Sequence, residues 1–185
     1  MKKHIITLDL DDEEPLSDVA HLLFRSSQPG YLFADALNRL YGYGLHRIDD
    51  IALDGAQWPL YTHADGVDHL RYYLVEKPAD ESLRGAWGDH NKLLVIKGET
   101  ALDAAGQILE DLTDPLPAAE GDLLALNHAA MRDELLADFL LVERFDPSEP
   151  LPPKTSRRAT QINATLQRHT AAILNYIDEQ RLDIK

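Results

Sequence analysis

The sequence predicts an α+β fold: an antiparallel or mixed sheet packed by two or three helices, followed by a long C-terminal helix. Three patterns support this prediction. Short runs between residues 45 and 75 alternate apolar with polar side chains, as half-buried strands do. Residues 31–41 carry one apolar stripe at helical spacing. A proline-rich segment then precedes a helical pattern that has a different net charge.

The first part of the chain contains strand signals and one clear helix signal. Residues 4–10 alternate like a strand, and residues 19–24 fit either a strand or one helical turn. Residues 29–41 are predicted as a helix, because Pro29 suits the first turn and Gly42 suits the left-handed position after the last. Ser26 and Ser27 are the candidates for its N-cap.

The middle of the chain predicts an antiparallel meander with short connections. Its three strand candidates are residues 45–53, 58–63 and 67–75. Asp54-Gly55 is a pair typical of a tight hairpin turn. A polar loop follows, from Lys77 to Asn91, and then a short apolar run at 92–98 with polar ends, which predicts a central strand. The aromatic residues of the meander are expected to pack in the core: Trp58, Tyr61, Tyr72 and Tyr73.

Two more helices and a strand are predicted before the proline-rich segment. Thr100 can cap a helix at 101–112, and two prolines after it end that helix. A second helix is predicted at about 122–136, and the apolar run 139–142 is predicted as a strand.

The chain divides, by this prediction, into three parts: an acidic α+β domain at 1–146, a proline-rich linker at 147–153 and a C-terminal helix within 154–185. The helix is expected to span about residues 160–182. Four of its apolar residues lie on one seam at near-heptad spacing and form a predicted partner face: Ile162, Leu166, Ile173 and Ile177. The seam could pack on the domain of its own chain or on another chain, and the sequence leaves both open.

Charge and composition exclude several classes of function. Residues 1–150 contain 12 Lys and Arg and 29 Asp and Glu, which gives a net charge of −17. Residues 151–185 contain six Lys and Arg and three Asp and Glu, which gives a net charge of +3. So acidic a domain repels nucleic acid and anionic membranes. Cysteine is absent, which excludes disulfides and thiolate chemistry and suits a reducing compartment. Without a secretory pattern or an apolar run of membrane-spanning length, the expected location is the cytoplasm.

Motifs for catalysis or cofactor binding are not found in the sequence. It has no nucleophile elbow, no phosphate-binding loop and no dinucleotide-binding glycine pattern. One segment gathers residue types that bind divalent metals, and its members are His63, Asp65, Asp68 and His69. Because this segment falls on a predicted hairpin turn, which itself favours Asp and Gly, the sequence predicts no cofactor and no metal and keeps the four residues as alternative ligands.

Four segments carry a resemblance to a known family. They are residues 4–12, the Leu37-Asn38-Arg39-Leu40 part of the helix, the cluster of Arg47, Asp49 and Asp50, and residues 72–77. In this order they resemble the IPExxxVDY family of small Bacteroidetes proteins, although no Ile-Pro-Glu precedes residues 92–96. The resemblance implies a bacterial cytoplasmic protein and brings no function with it.

The sequence therefore favours a non-enzymatic protein-interaction or adaptor protein that uses its C-terminal helix, either to bind another protein or to form a dimer. An isolated helix of this length is marginal in water, so its apolar seam needs a cover. Two alternatives stay open. One is a metal-dependent enzyme that uses the cluster at 63–69, and the other is an acidic decoy or immunity protein for a basic partner.

Overall fold

The structure, a computed structural model, describes residues 19–66, 69–79, 87, 90–113, 132, 143–145 and 157–179. The strands predicted at 4–10 and 139–142 and the linker at 147–153 lie outside these residues. So does the helix predicted at 122–136, apart from helical Arg132. The described elements form an α+β fold, as predicted.

The part of the chain that the structure describes contains eight strands in two sheets. They are β1 (Val19–Phe24), β2 (His46–Arg47), β3 (Ile51–Leu53), β4 (Ala56–Trp58), β5 (Leu60–Ala64), β6 (Arg71–Glu76), β7 (Lys92–Lys97) and β8 (Glu143–Phe145). The main sheet has the order β2-β5-β6-β7-β1-β8, and each neighbouring pair in it is antiparallel. Strands β3 and β4 form a separate hairpin. The apolar run at 92–98 thus contains a central strand, β7, as its composition predicted.

In the described ranges, three helices accompany the sheets: α1 (Gly30–Tyr41), α2 (Ala101–Thr113) and α3 (Arg157–Glu179). Helix α1 ends as predicted, because Gly42 has φ 72° and its N–H donates to the carbonyl of Asn38. Its first turn differs from the prediction. No side chain of Ser26 or Ser27 caps it, and the N–H of Gly30 donates instead to the Glu76 carboxylate at 3.0 Å.

The meander differs from the prediction in its strand boundaries. The single strand expected at 45–53 is two short strands, β2 and β3, separated by a turn in which Arg47 and Asp50 form an ion pair at 2.9 Å. The strand expected at 58–63 is likewise divided between β4 and β5, because Pro59 has no N–H with which to continue a ladder. Asp54 and Gly55 form the predicted tight turn, with φ 51° and φ 80°.

One face of the main sheet is covered by α1 and α2. Alternate residues of the central strands point to this side, which buries a cluster of apolar side chains. The strand residues of this cluster include Leu22, Phe24, Tyr72, Leu74, Leu94 and Ile96, and the helices contribute Phe33, Leu37, Ala105 and Ile108.

The opposite face of the main sheet is covered by α3 and the β3–β4 hairpin. The other alternate residues of the same strands point here, among them Leu23, Tyr73, Val75, Leu93 and Val95. Leu166, Ile173 and Ile177 of α3 complete this second cluster. The helix beyond the predicted linker therefore shares a core with the sheet and does not project from it.

Two glycine-to-alanine substitutions, one inside α2 and one at the end of α1, are expected to change the free energy of unfolding in opposite directions. Gly106 lies inside α2 with open space around the position of a Cβ, so Gly106→Ala should raise the free energy of unfolding by about 0.5–1 kcal/mol. Gly42→Ala also meets no neighbouring atom, but its left-handed φ should lower that free energy by about 1 kcal/mol. Urea unfolding of both variants measures the two changes, and changes of equal sign would contradict the assigned backbone conformations.

Candidate functional site

The contact between α3 and the sheet, called the α3 interface below, is an apolar surface that also buries polar groups. Its α3 residues are Leu166, His169, Thr170, Ile173 and Ile177, all buried. Their spacing of 3, 1, 3 and 4 places them on one side of a helix. Across from them lie Trp58 of β4 and Trp87, the only two tryptophans of the chain, both with 0% exposure.

Asp54 links the β3–β4 hairpin to α3. It occupies the left-handed position of the hairpin turn, where Asp is tolerated better than most residues. Its Oδ2 atom accepts from Arg168 Nη2 at 2.9 Å and lies 3.0 Å from His169 Nε2. The Arg168 and Asp54 side chains are 61% and 34% exposed, so this ion pair contributes no more than about 1 kcal/mol to stability. The contact to His169 is the buried part of the link.

The imidazole of His169 is enclosed by the two indole rings. Ring centroids lie 4.9 Å from Trp58 and 5.7 Å from Trp87, both edge-to-face. Two contacts compete at Nε2, since Asp54 Oδ2 can only accept, at 3.0 Å, whereas Arg168 Nη2 can only donate, at 3.1 Å. Arg168 Nη2 already donates to Asp54 at 2.9 Å, so we assign the imidazole hydrogen to Nε2 and leave Nδ1 without one. Nδ1 has no hydrogen-bond partner among the described residues. Burial lowers the pKa of His169, and the hydrogen bond to Asp54 opposes that shift only in part.

A second buried polar contact joins α3 directly to the sheet. His21 in β1 lies with its Nε2 atom 2.9 Å from Thr170 Oγ1, and both residues have 0% exposure. This contact fixes the position of α3 along β1, because shifting the helix by one turn would separate two buried polar groups. His21 and His169 therefore select one arrangement of the helix, which apolar contacts alone would not.

The Asp–His pair of the α3 interface is not arranged for catalysis in this state. A general base must reach a substrate proton within hydrogen-bond distance. The imidazole of His169 is 1% exposed, so a substrate in solvent does not reach it in this state. The geometry makes His169 a group that positions α3.

A second polar cluster lies on the other face of the sheet, below the first turn of α1. Lys92 has 0% exposure and pairs across the strands with Glu76, with Nζ 3.5 Å from Oε1. Its ammonium also donates to the Ser26 carbonyl at 3.3 Å and lies 5.5 Å from the Phe33 ring centroid. Burial lowers the pKa of Lys92, and Glu76 opposes this shift. The same Glu76 carboxylate caps Gly30, so it serves two buried donors.

A cleft of about 470 Å³ opens beside Glu76. Its wall combines apolar prolines and an alanine with polar side chains, from Gln57, Pro59, Glu76, Lys77, Pro78, Ala79 and Asn91. Both functional groups of the Asn91 amide are already bonded to the backbone of Ser26, at 3.1 and 2.7 Å. Glu76 is likewise engaged with Gly30 and Lys92. The side chains of Asn91 and Glu76 thus serve the fold.

The structure describes three of the four residues of the alternative metal site, namely His63, Asp65 and His69. His63 of β5 pairs with Tyr72 of β6, whereas His69 lies in the connection before β6 and has φ 56°. The His63 ring is stacked on Tyr43 and Tyr72, with centroid distances of 5.5 and 5.7 Å. Asp68 lies outside the described residues. Within the described ranges, no group of three His, Asp or Glu residues is placed to hold a metal ion.

The predicted partner face is, for three of its four members, part of the core. Leu166, Ile173 and Ile177 are 0%, 0% and 2% exposed within the single chain. The side chain of Ile162 lies outside the described residues. Of the two coverings that the sequence leaves open, these three residues have the one within the same chain, because the second sheet face needs an apolar cover.

Sequence reasoning missed the polar members of both clusters. A signal for His169 and Thr170 was present, since both fall on the helical stripe between Leu166 and Ile173. Lys92 was expected as the polar end of a strand, and no sequence signal marks it as buried. The sequence predicts Trp87 in the polar loop before residue 92. Only the fold brings its indole ring next to that of Trp58, with 5.1 Å between the ring centroids.

Comparisons with known proteins give no relative: no family model, no curated protein and no solved structure matches this chain. The resemblance to the IPExxxVDY family stays a prediction. No helix in the described part of the chain is both long enough and apolar enough to cross a membrane.

The Glu76–Lys92 pair makes a testable prediction about stability. Glu76→Gln keeps an oxygen for the N–H of Gly30 but leaves the buried ammonium without a charged partner, so the free energy of unfolding should fall by about 2 kcal/mol. Adding Lys92→Met should recover most of that loss, because it replaces the ammonium by an apolar group of similar size.

Asp35→Asn is the matched control for these variants, because it removes the carboxylate of the exposed ion pair with Arg39. Its effect should stay below about 0.5 kcal/mol. Urea unfolding at pH 7 measures the free energy of unfolding of the wild type, the two Glu76→Gln variants and Asp35→Asn. If Glu76→Gln costs no more than Asp35→Asn, the buried pair does not stabilise the fold.

Proposed function

We propose that this chain is a non-enzymatic protein-interaction protein whose contact element is α3, held on its own sheet in one state and exchanged onto a second copy of the chain in another. The observation that carries the proposal is the composition of the α3 interface. A short apolar seam docks the helix, but buried polar groups interrupt that seam.

The strength of docking supports exchange. Burial of Leu166, Ile173 and Ile177 contributes about 5–9 kcal/mol before the cost of ordering the helix. The Nδ1 atom of His169 has no hydrogen-bond partner among the described residues, which reduces this contribution by about 1–3 kcal/mol. By comparison, the central strands pair on both sides within the sheet. Elements with fewer apolar contacts and imperfect polar pairing open at lower free energy than such strands.

A second copy of the chain is the best-matched partner for an exchanged helix. It offers the same sheet face, the same Asp54 and the same His21, so every contact of α3 can be remade between chains. Helix-in-groove recognition of this kind relies on apolar anchors at helical spacing, which Leu166, Ile173 and Ile177 provide. A different protein partner would need to supply an equivalent apolar groove.

Peptide binding to a variant with a displaced helix tests the proposal. In full-length Ile173→Asp, a carboxylate replaces the buried centre of the seam, so α3 should leave the sheet. A fluorescein-labelled peptide of residues 154–185 should then bind the vacated face. We expect at least tenfold tighter binding than to the wild-type protein, whose face is occupied, as measured by fluorescence anisotropy at pH 8.

Ala171→Asp is the control variant, because it adds the same charge at an exposed position of the same helix. It should bind the peptide no better than the wild type. Two results count against the proposal. One is a folded Ile173→Asp protein that binds no more peptide than the control. The other is loss of the whole β-sheet signal in circular dichroism, since α3 would then be indispensable to the core.

A further inference from the structure

We propose that His169 is a proton-operated latch: acidification to below about pH 6.5 protonates its imidazole, breaks the α3 interface and frees the helix for exchange. The inference rests on the proposed function for the consequence of release, although the release itself can be observed independently. Its basis is the geometry around one buried ring.

The docked state accommodates only the neutral imidazole. Nε2–H donates to Asp54, and Nδ1 lies buried without a partner among the described residues. A second proton would place an N–H donor on Nδ1, for which the described residues offer no hydrogen-bond acceptor. Water supplies that acceptor once the helix has left the sheet. Protonation and docking therefore exclude one another.

The charged groups facing His169 do not compensate for that loss. From the β3–β4 hairpin, Asp54 favours the imidazolium ion, but its Oδ2 atom is shared with Arg168 at 2.9 Å. From α3 itself, Arg168 Nη2 lies 3.1 Å from His169 Nε2 and opposes a second positive charge. Trp58 and Trp87 bring no charge. The next residue of α3, Thr170, contacts His21 of β1, with 2.9 Å between Oγ1 and Nε2. Burial lowers the pKa of His169 and is the largest influence on it.

The sign of the pH dependence of α3 docking follows from the lowered pKa of His169. A histidine whose pKa is lower in the docked state than in the released state binds its proton preferentially after release. Docking is then strongest above the ordinary histidine pKa of about 6.5 and weakens as the pH falls below that value. One proton per helix allows at most a tenfold change per pH unit, so docking can weaken by up to about 30-fold between pH 8 and pH 5.

A single introduced thiol can report the release in the full-length chain. The natural sequence has no cysteine, so Val95→Cys places one probe on the sheet face that α3 covers. Its labelling rate with a methanethiosulfonate reagent, divided by the rate in denatured protein at the same pH, measures how often the face opens. We expect this ratio to rise by 10- to 30-fold from pH 8 to pH 5.

Two histidine variants in the Val95→Cys background separate His169 from other titrating groups. His169→Gln retains an N–H for Asp54 and cannot take up the proton, so its ratio should change less than threefold over the same range. His46→Gln removes an exposed histidine of β2 and should keep the full rise. A His169→Gln protein with the full rise would overturn the latch, and so would a flat profile in the His169-containing protein.

The ring of His169 provides a second measurement on the unmodified chain, which holds even if His169→Gln fails to fold. Its imidazole resonances should titrate with a midpoint below 6.5, together with the loss of the α3 amide signals. A midpoint at or above 6.5 with α3 still docked would overturn the latch. Peptide exchange at pH 8 is unaffected by either result, so failure of the latch and failure of the proposed function are distinguishable.

Discussion

The central strands of the main sheet bury apolar side chains on both faces, so the fold needs an apolar cover on each side. Helices α1 and α2 cover one face, and α3 with the β3–β4 hairpin covers the other. Without α3, the sheet face that this helix covers would expose Leu23, Tyr73 and Val95 to water as one apolar patch. Monomeric proteins rarely expose such patches. The position of α3, the burial of both tryptophans and the enclosure of His169 all follow from this requirement.

Polar groups at the edges of the two clusters determine how the covers sit. Apolar contacts are non-directional, and by themselves they would hold a helix on a sheet in several registers. Lys92 and Glu76 fix the start of α1 on one face, because the Glu76 carboxylate binds both the ammonium and the first helical N–H. On the other face, His21 and Asp54 fix α3 through Thr170 and His169. Both faces thus combine apolar burial with a few specific polar contacts.

The two polar clusters differ in what they leave unsatisfied. The Glu76 carboxylate serves two donors in the first cluster, whereas the second encloses an imidazole nitrogen without a partner among the described residues. An unsatisfied buried group costs free energy, and proteins retain such groups where the state that satisfies them has a use. In the proposed function, that state is α3 released from its own sheet, where water can bond to His169. The first cluster, by contrast, is expected to matter for stability.

The sequence by itself determined the α+β class, the first helix with its glycine stop, the Asp54-Gly55 turn and the central strand at 92–97. Each of these depends on local preferences: hydrophobic period, a left-handed glycine, or β-branched composition. It also placed Leu166, Ile173 and Ile177 on one helical seam. Only the tertiary structure decided that the seam lies on its own sheet, that Lys92 is buried beside Glu76, and that His169 lies between Trp58 and Trp87. Those contacts join residues far apart in the chain, and their energies depend on which surfaces meet, which a local pattern does not encode.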